Sequence, residues 1–283
     1  YLKYAVIYKS ANAGLAIEKL NQLKTLEPSN TAIDKKLAEI YYLKNDFSKA
    51  ADAYSRFAMG PTANEEDLVK YAFALFLNHD FAKSLEVANM GLKKNPRHAA
   101  FNRLAMYNNT DLKRFEEALK AADVFFNECD KADYSYLDYM YYGHLLEELK
   151  KYDEAVGQYE KAVELDPTKT DLYKNISSAY EQKNDYKKAI GAYHKYYSSL
   201  EKEKQTPDLQ FQLGRLYYGA GTQPDSLTIN AEERKQALMS ADSVFQVISE
   251  AAPDSYLGNF WRARANSALD PETTQGLAKP FYE

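Results

Sequence analysis

The chain has 283 residues, 45% of them hydrophobic and 27% charged, and its 36 basic against 41 acidic side chains leave a formal net charge of −5. This is ordinary for a chain that buries a core. Acid and base are interspersed, which excludes the clustered basic face that nucleic acid requires, and no apolar run approaches the roughly 18–20 residues needed to span a bilayer. Cys129 is the only cysteine, so no intrachain disulfide forms.

Taken in order, the chain reads as a series of helical hairpins. Residues 1–30 are an incomplete unit that begins partway into a helix. Residues 31–64 are a full unit, with Leu37, Ala38 and Tyr41 on one stripe and Ala50 and Tyr54 on the next. Residues 65–98 follow, with Tyr71, Ala72 and Leu75. Residues 99–135 are degenerate: the register slips by one around Leu104 and Ala105, and Ala118 recovers it. In 136–169, apolar residues three and four apart mark two helices with one buried stripe each. Lys150 to Asp153 break the stripe and turn the chain. Residues 170–206 repeat that unit. The 207–255 unit carries a long insertion, with Gly219, Gly221, Pro224 and Asp225 as loop markers, then one long helix from about Ala231 to Glu250. Residues 256–269 make a further first helix, ended by Asp270 and Pro271, and GLAKPFYE reads as the start of another helix.

Small residues set the period. In the second helices they fall at Ala16, Ala50, Ser84, Ala118, Ala155, Ala189 and Ala241, and the first three gaps are 34 residues. In the first helices they fall at Ala38, Ala72, Ala105, Gly143, Ser177, Gly214 and Ala263. Four residues after each second-helix position stand Leu20, Tyr54, Ala88, Ala122, Tyr159, Tyr193 and Phe245. Pro28, Pro96, Pro167 and Pro253 each lie 12 residues after their small residue, and Pro61 comes one residue early.

The 136–169 unit reads Tyr139-x2-Tyr142-Gly143-x2-Leu146, then Ala155-x3-Tyr159, then Pro167. It resembles a tetratricopeptide repeat, whose pattern is W-x2-L-G-x2-Y, A-x3-F and P, with Tyr in place of Trp and Leu in place of the last Tyr. The resemblance implies an all-α, right-handed α-solenoid, one array over 1–283 with about seven hairpins. It also implies a non-catalytic scaffold that binds a protein or peptide on a concave groove lined by the first helices. The groove positions are Lys35, Glu39 and Tyr42; Val69, Phe73 and Phe76; Met140, His144 and Glu147; Lys174, Ser178 and Glu181; and Phe211, Arg215 and Tyr218. Residues 253–283 resemble a group of bacterial envelope-associated tetratricopeptide proteins. That implies a periplasmic or envelope location, with a leader removed from an N-terminus that starts within a helix.

Catalytic signatures are absent from the sequence. His79, His98, His144 and His194 include no pair at i, i+3 or i+4, so no helix presents a metal pair. No phosphate-binding glycine motif or G-x-S-x-G occurs, and Gly219-Ala220-Gly221 reads as a loop. Carboxylates such as Glu65-Glu66-Asp67 and Glu116-Glu117 sit at helix starts, where they complement the dipole. No enzyme activity, cofactor or metal is expected. The carboxylate clamp of chaperone-binding relatives, Lys-x3-Asn and its partners, is not matched by Lys35, Glu39, Met140, His144, Lys174, Asn175 or Ser178.

Of the 25 tyrosines, 15 lie between 134 and 218. They fill packing slots of the repeat, as Tyr139, Tyr142, Tyr173, Tyr180 and Tyr217 do, or they line a groove for a glycan, the alternative function. Self-assembly through the chain ends is a third option. Leu68–Leu77 carries two apolar stripes: Leu68, Tyr71, Ala72 and Leu75 for packing, and Val69, Phe73 and Phe76 toward the groove, either covered by a neighbouring helix or open to a partner.

Overall fold

A computed structural model describes residues 12–60, 63–129, 133–224 and 229–281. The start of the 1–30 unit, Pro61 and insertion residues 225–228 lie outside the described residues. Fourteen α-helices and no strand are found among the described residues, and the chain divides into two compact units, Tyr1–Asp133 and Tyr134–Glu283. The first contains α1 (Ala13–Leu26), α2 (Thr31–Leu43), α3 (Phe47–Ser55), α4 (Glu65–Leu77), α5 (Phe81–Lys94), α6 (Ala99–Asp111) and α7 (Phe115–Asp123), which runs into a π-helical turn, Val124–Glu128. The second contains α8 (Tyr136–Glu148), α9 (Tyr152–Leu165), α10 (Leu172–Gln182), α11 (Tyr186–Ser199), α12 (Pro207–Gly221), α13 (Ala231–Ala251) and α14 (Tyr256–Leu269). Within each unit, every helix packs on the one before it.

One turn device closes five hairpins. Asn45, His79, Lys113, Lys150 and Asn184 all have φ between 57° and 61°. The next amide bonds back five residues, as in Asp46 N to Tyr41 O at 2.9 Å, Lys151 N to Leu146 O at 2.8 Å and Asp185 N to Tyr180 O at 2.9 Å, the pattern of a left-handed C-terminal cap. Asp46, Asp80 and Asp185 then cap the second helix by accepting from the amides of Lys49, Lys83 and Lys188. An aromatic opens that helix each time: Phe47, Phe81, Phe115, Tyr152 and Tyr186. The expected turn at 150–153 is therefore shorter. Tyr152 and Asp153 already belong to α9, because the left-handed residue Lys150 reverses the chain by itself.

The prolines mark helix ends. The C-caps Glu27, Asn95, Asp166 and Ala252 have φ between −129° and −138°, and each directly precedes a proline, which disfavours the helical conformation before it.

All the small positions are buried. Ala16, Ala50, Ser84, Ala118, Ala155, Ala189 and Ala241 have no exposed surface, nor does Ala38, Ala72 or Ala263. The residues four further on, from Leu20 to Phe245, are at most 1% exposed. These two series meet inside the α8–α9 and α12–α13 hairpins. A Cβ on Gly143 would lie 2.7 Å from the ring of Tyr159, and one on Gly214 would lie 2.7 Å from the ring of Phe245. What demands glycine is a partner ring rather than partner backbone. Where Ala88 supplies no ring, Phe101 of α6 lies over Gly91 instead, and Phe101 is fully buried.

Two further expectations are corrected. Gly219 and Gly221 are helical, the last turn of α12; they are glycines because Tyr186 and Leu238 occupy the space of their Cβ atoms. Thr222 ends the helix, Gln223 donates to the Asn184 carbonyl, and Ile229 is buried beside Ala220 and Ala237. The tail after Asp270 forms no α-helix among the described residues, only the 3-10 turn Lys279–Phe281. Asp270 accepts from the amides of Thr274, Gln275 and Gly276 at 2.7–2.9 Å, and Phe281 stacks under Arg262. In the degenerate unit, both Leu104 and Ala105 are buried, together with Phe101, Asn102 and Met106 through Thr110. The sequence pattern blurs there because α6 is covered on nearly every side.

Candidate partner-binding site

The fifteen first-helix positions that the repeat resemblance implies have different surroundings in the two units. In the first unit, Lys35 of α2 reaches α4, its Nζ 2.7 Å from the Asp67 carboxylate. Asp67 also closes the capping box of α4 with Asn64. Glu39 pairs with Lys36 at 2.9 Å on its own helix. Tyr42 lies edge-on to Phe47, and burial raises its hydroxyl pKa. Val69 and Phe73 are half-buried. Phe76 is buried, packed between Phe81 and Tyr107 at 5.7 and 5.5 Å. Tyr107 of α6 packs on it from the neighbouring hairpin. Leu68, Tyr71, Ala72 and Leu75 are buried as the packing stripe requires.

In the second unit the positions connect from helix to helix. Glu147 of α8 accepts from the Tyr159 hydroxyl at 2.8 Å through one carboxylate oxygen and from Ser178 Oγ of α10 at 3.0 Å through the other. Burial, then the charge of Glu147, pushes the Tyr159 hydroxyl far above its ordinary pKa, so it remains a donor. Glu181 of α10 accepts from Gln212 of α12 at 3.3 Å and lies 3.8 Å from the Arg215 guanidinium. First helices two elements apart are thus held side by side by carboxylates that face inward. Met140 packs on the Leu146–Tyr159 core. Phe211 lies 5.7 Å from Phe245 and 5.6 Å from Trp261, and Tyr218 lies 5.4 Å from Trp261. The solvent-exposed members are His144, Lys174 and Arg215.

The same register continues into α14. Counting three back and one forward from Ala263, as from Gly143 or Gly214, gives Phe260 and Arg264 of α14. Both are exposed, and both touch the ring cluster of Tyr218 and Trp261. The repeating small residue was the signal that could have found them.

A different opening lies between the second helices α9 and α11. It encloses about 480 Å³ over Tyr173, Ile176 and Tyr180, with Glu160 and Glu164 on one wall and Lys188 and Lys195 on the other. Lys188 and Lys195 lie over the Tyr180 and Tyr173 rings at 5.2 and 5.3 Å, so its tyrosines are already capped. Among the described residues no group of three or more His, Cys, Asp or Glu could hold a metal ion, and no helix is long and apolar enough to cross a membrane.

A family model described as Tetratricopeptide repeat matches residues 137–169. No curated protein matches the chain. Among solved structures, the C-terminal part of a TPR repeat-containing protein from Cytophaga hutchinsonii is 30% identical, with 76% of each chain covered and a TM-score of 0.56. A tetratricopeptide repeat protein from Parabacteroides merdae is 18% identical over 86% of this chain and 91% of that one, TM-score 0.58. MamA from Desulfovibrio magneticus is 18% identical over 62% and 97%, TM-score 0.53. The last two similarities are of fold alone.

Proposed function

The chain belongs to the tetratricopeptide repeat family, whose members bind protein partners, and from that premise we propose that it is a non-catalytic scaffold that holds a protein segment on the first-helix face of its second unit. The observation that carries this is the inward commitment of Glu147 and Glu181. By bridging α8 to α10 and α10 to α12, they fix the spacing of the first helices and leave His144, Lys174 and Arg215 projecting. A face held rigid before binding loses little conformational freedom on association. The glycan alternative needs tyrosines open to solvent. Of the tyrosines between 134 and 218 only Tyr134 is exposed, at 37%, while Tyr159, Tyr193 and Tyr196 are core. That distribution supports the packing role.

The test places a photo-crosslinking residue at Lys174 or Arg215 on first helices, and at Glu160 or Lys195 on second helices, all exposed. The expected outcome is a protein crosslinked from Lys174 and Arg215, identified by mass spectrometry and re-bound as a purified pair. Crosslinking only from Glu160 and Lys195, or capture of glycan without protein, overturns the proposal.

A further inference from the structure

The two arginines of α14 lie two residues apart and are treated differently. Arg262 is matched: it donates from Nε and a terminal nitrogen to both carboxylate oxygens of Asp242, at 2.9 and 3.3 Å. Arg264 is exposed and has no carboxylate partner among the described residues. Its guanidinium instead lies over three rings, 4.7 Å from the centre of Trp261, 5.1 Å from Tyr218 and 5.9 Å from Phe260. A guanidinium stacked on aromatic faces keeps its edge of N–H donors free, and that edge fits a carboxylate with two parallel bonds. Beside it, Phe260 is 45% and Tyr256 78% exposed, an apolar surface continuous with the charged fork.

We propose that Arg264, cradled by Trp261, Tyr218 and Phe260, is the anchor for an acidic peptide segment of a protein partner that carries a large apolar side chain next to its carboxylate. This names the partner chemistry for the face proposed above and rests on that assignment. Charge complementarity selects the occupant. The chain is acidic overall, yet on this face the acids Glu147 and Glu181 are consumed by internal bonds, while Lys174 and Arg264 have no ion pair among the described residues and Arg215 has only a long one. The rings add the second requirement: a simple anion would use the guanidinium and leave Phe260 and Tyr256 in water. An acidic segment with an aromatic or aliphatic neighbour covers both.

Trp261 is the only tryptophan, so its fluorescence reports this site alone. The whole chain is titrated with a fluorescein-labelled peptide of four Glu-Glu-Phe repeats, reading peptide anisotropy and, with unlabelled peptide, Trp261 emission. Four Lys-Lys-Phe repeats, four Glu-Glu-Ser repeats and a twelve-residue oligothymidine are the comparisons. The expected result is a Trp261 change and salt-sensitive binding for the Glu-Glu-Phe peptide, weakened on the order of tenfold by Arg264→Gln and by Phe260→Ser, a change at an exposed position whose thermal unfolding is measured alongside. Arg264→Lys should recover only part, since an ammonium lacks the planar fork. The proposal is overturned by no binding, by equal binding of the lysine peptide or of oligothymidine, or by unchanged affinity in Arg264→Gln and Phe260→Ser. If Lys174 and Arg215 still crosslink a protein partner in that case, the face stands and the acidic anchor alone falls.

Discussion

Ser177 Oγ donates to the carbonyl of Ala189, 2.8 Å away, across the hairpin of α10 and α11. The mirror relation joins the earlier hairpin of α4 and α5, where Ser84 Oγ donates to the Ala72 carbonyl at 2.8 Å. Both pairs are the small residues of facing helices, so the two series of small positions are one contact seen from either side. The bonds are not equivalent. Ser84 Oγ also accepts from Asn108 Nδ2 at 2.8 Å, and Asn108 is fully buried, its side-chain Oδ1 without a hydrogen-bond partner among the described residues. Ser177→Ala is expected to cost about 1 kcal/mol, the net worth of one hydrogen bond, and Ser84→Ala about 1–3 kcal/mol, because it strands a buried amide. Urea denaturation of the two variants should show that order; equal losses would mean that Asn108 finds another partner.

Gly143 and Gly157 lie in consecutive helices of one hairpin and should respond oppositely to alanine. At Gly143 the new Cβ meets the Tyr159 ring, which is tethered by its hydroxyl to Glu147; the overpacking costs about 1–3 kcal/mol. At Gly157 nothing lies within 4 Å, so Gly157→Ala should stabilise by up to about 1 kcal/mol through helix propensity. Thermal unfolding of both checks this, and a destabilised Gly157→Ala would contradict the placement of α9.

Tyr54 and Tyr159 occupy the same repeat position, but their hydroxyls do not fare alike. Tyr159 donates to Glu147. The Tyr54 hydroxyl is buried with no hydrogen-bond partner among the described residues, and burial pushes its pKa far above the ordinary value. Tyr159→Phe should cost about 1.5–3 kcal/mol, since the acceptor is charged, whereas Tyr54→Phe should be neutral or stabilising. Chemical denaturation distinguishes them; a costly Tyr54→Phe would reveal a partner.

Asp270 ties the C-terminal tail to α14, and its pH response follows from its contacts. Burial works against the charged form, but the Gln275 amide, the Thr274 hydroxyl and the Gly276 amide outweigh it, and the carboxyl lies below the ordinary aspartate range. A depressed folded pKa means stabilisation that is complete above the unfolded value of about 4 and lost as pH falls through the lower folded value. Unfolding midpoints measured from pH 6 down to pH 2.5 should drop in that window, and Asp270→Asn should flatten the drop. An unaltered pH profile in Asp270→Asn would remove this residue as its source.

The helical period, the buried small positions, the helix-ending prolines and the bounds of the last helix are legible in the amino-acid order, because each depends on local constraints. A small residue every 34 positions, a proline that forbids helix before it and a stripe at three and four residues are visible without knowing what lies opposite. Tertiary structure decided the rest. Lys150 looks like an ordinary charged residue, but it takes a left-handed turn because two helices must reverse there. Gly219 and Gly221 resemble loop residues, but they are helical because Tyr186 and Leu238 press against them. Phe76 and Phe73 belong to one sequence stripe, and Phe81 of the next helix together with Tyr107 from another hairpin packs against the first. Arg262 and Arg264 are the same residue type two positions apart. One is neutralised by Asp242 from α13 and the other rests on rings from α12 and α14, a distinction that depends on which neighbours the fold brings within reach.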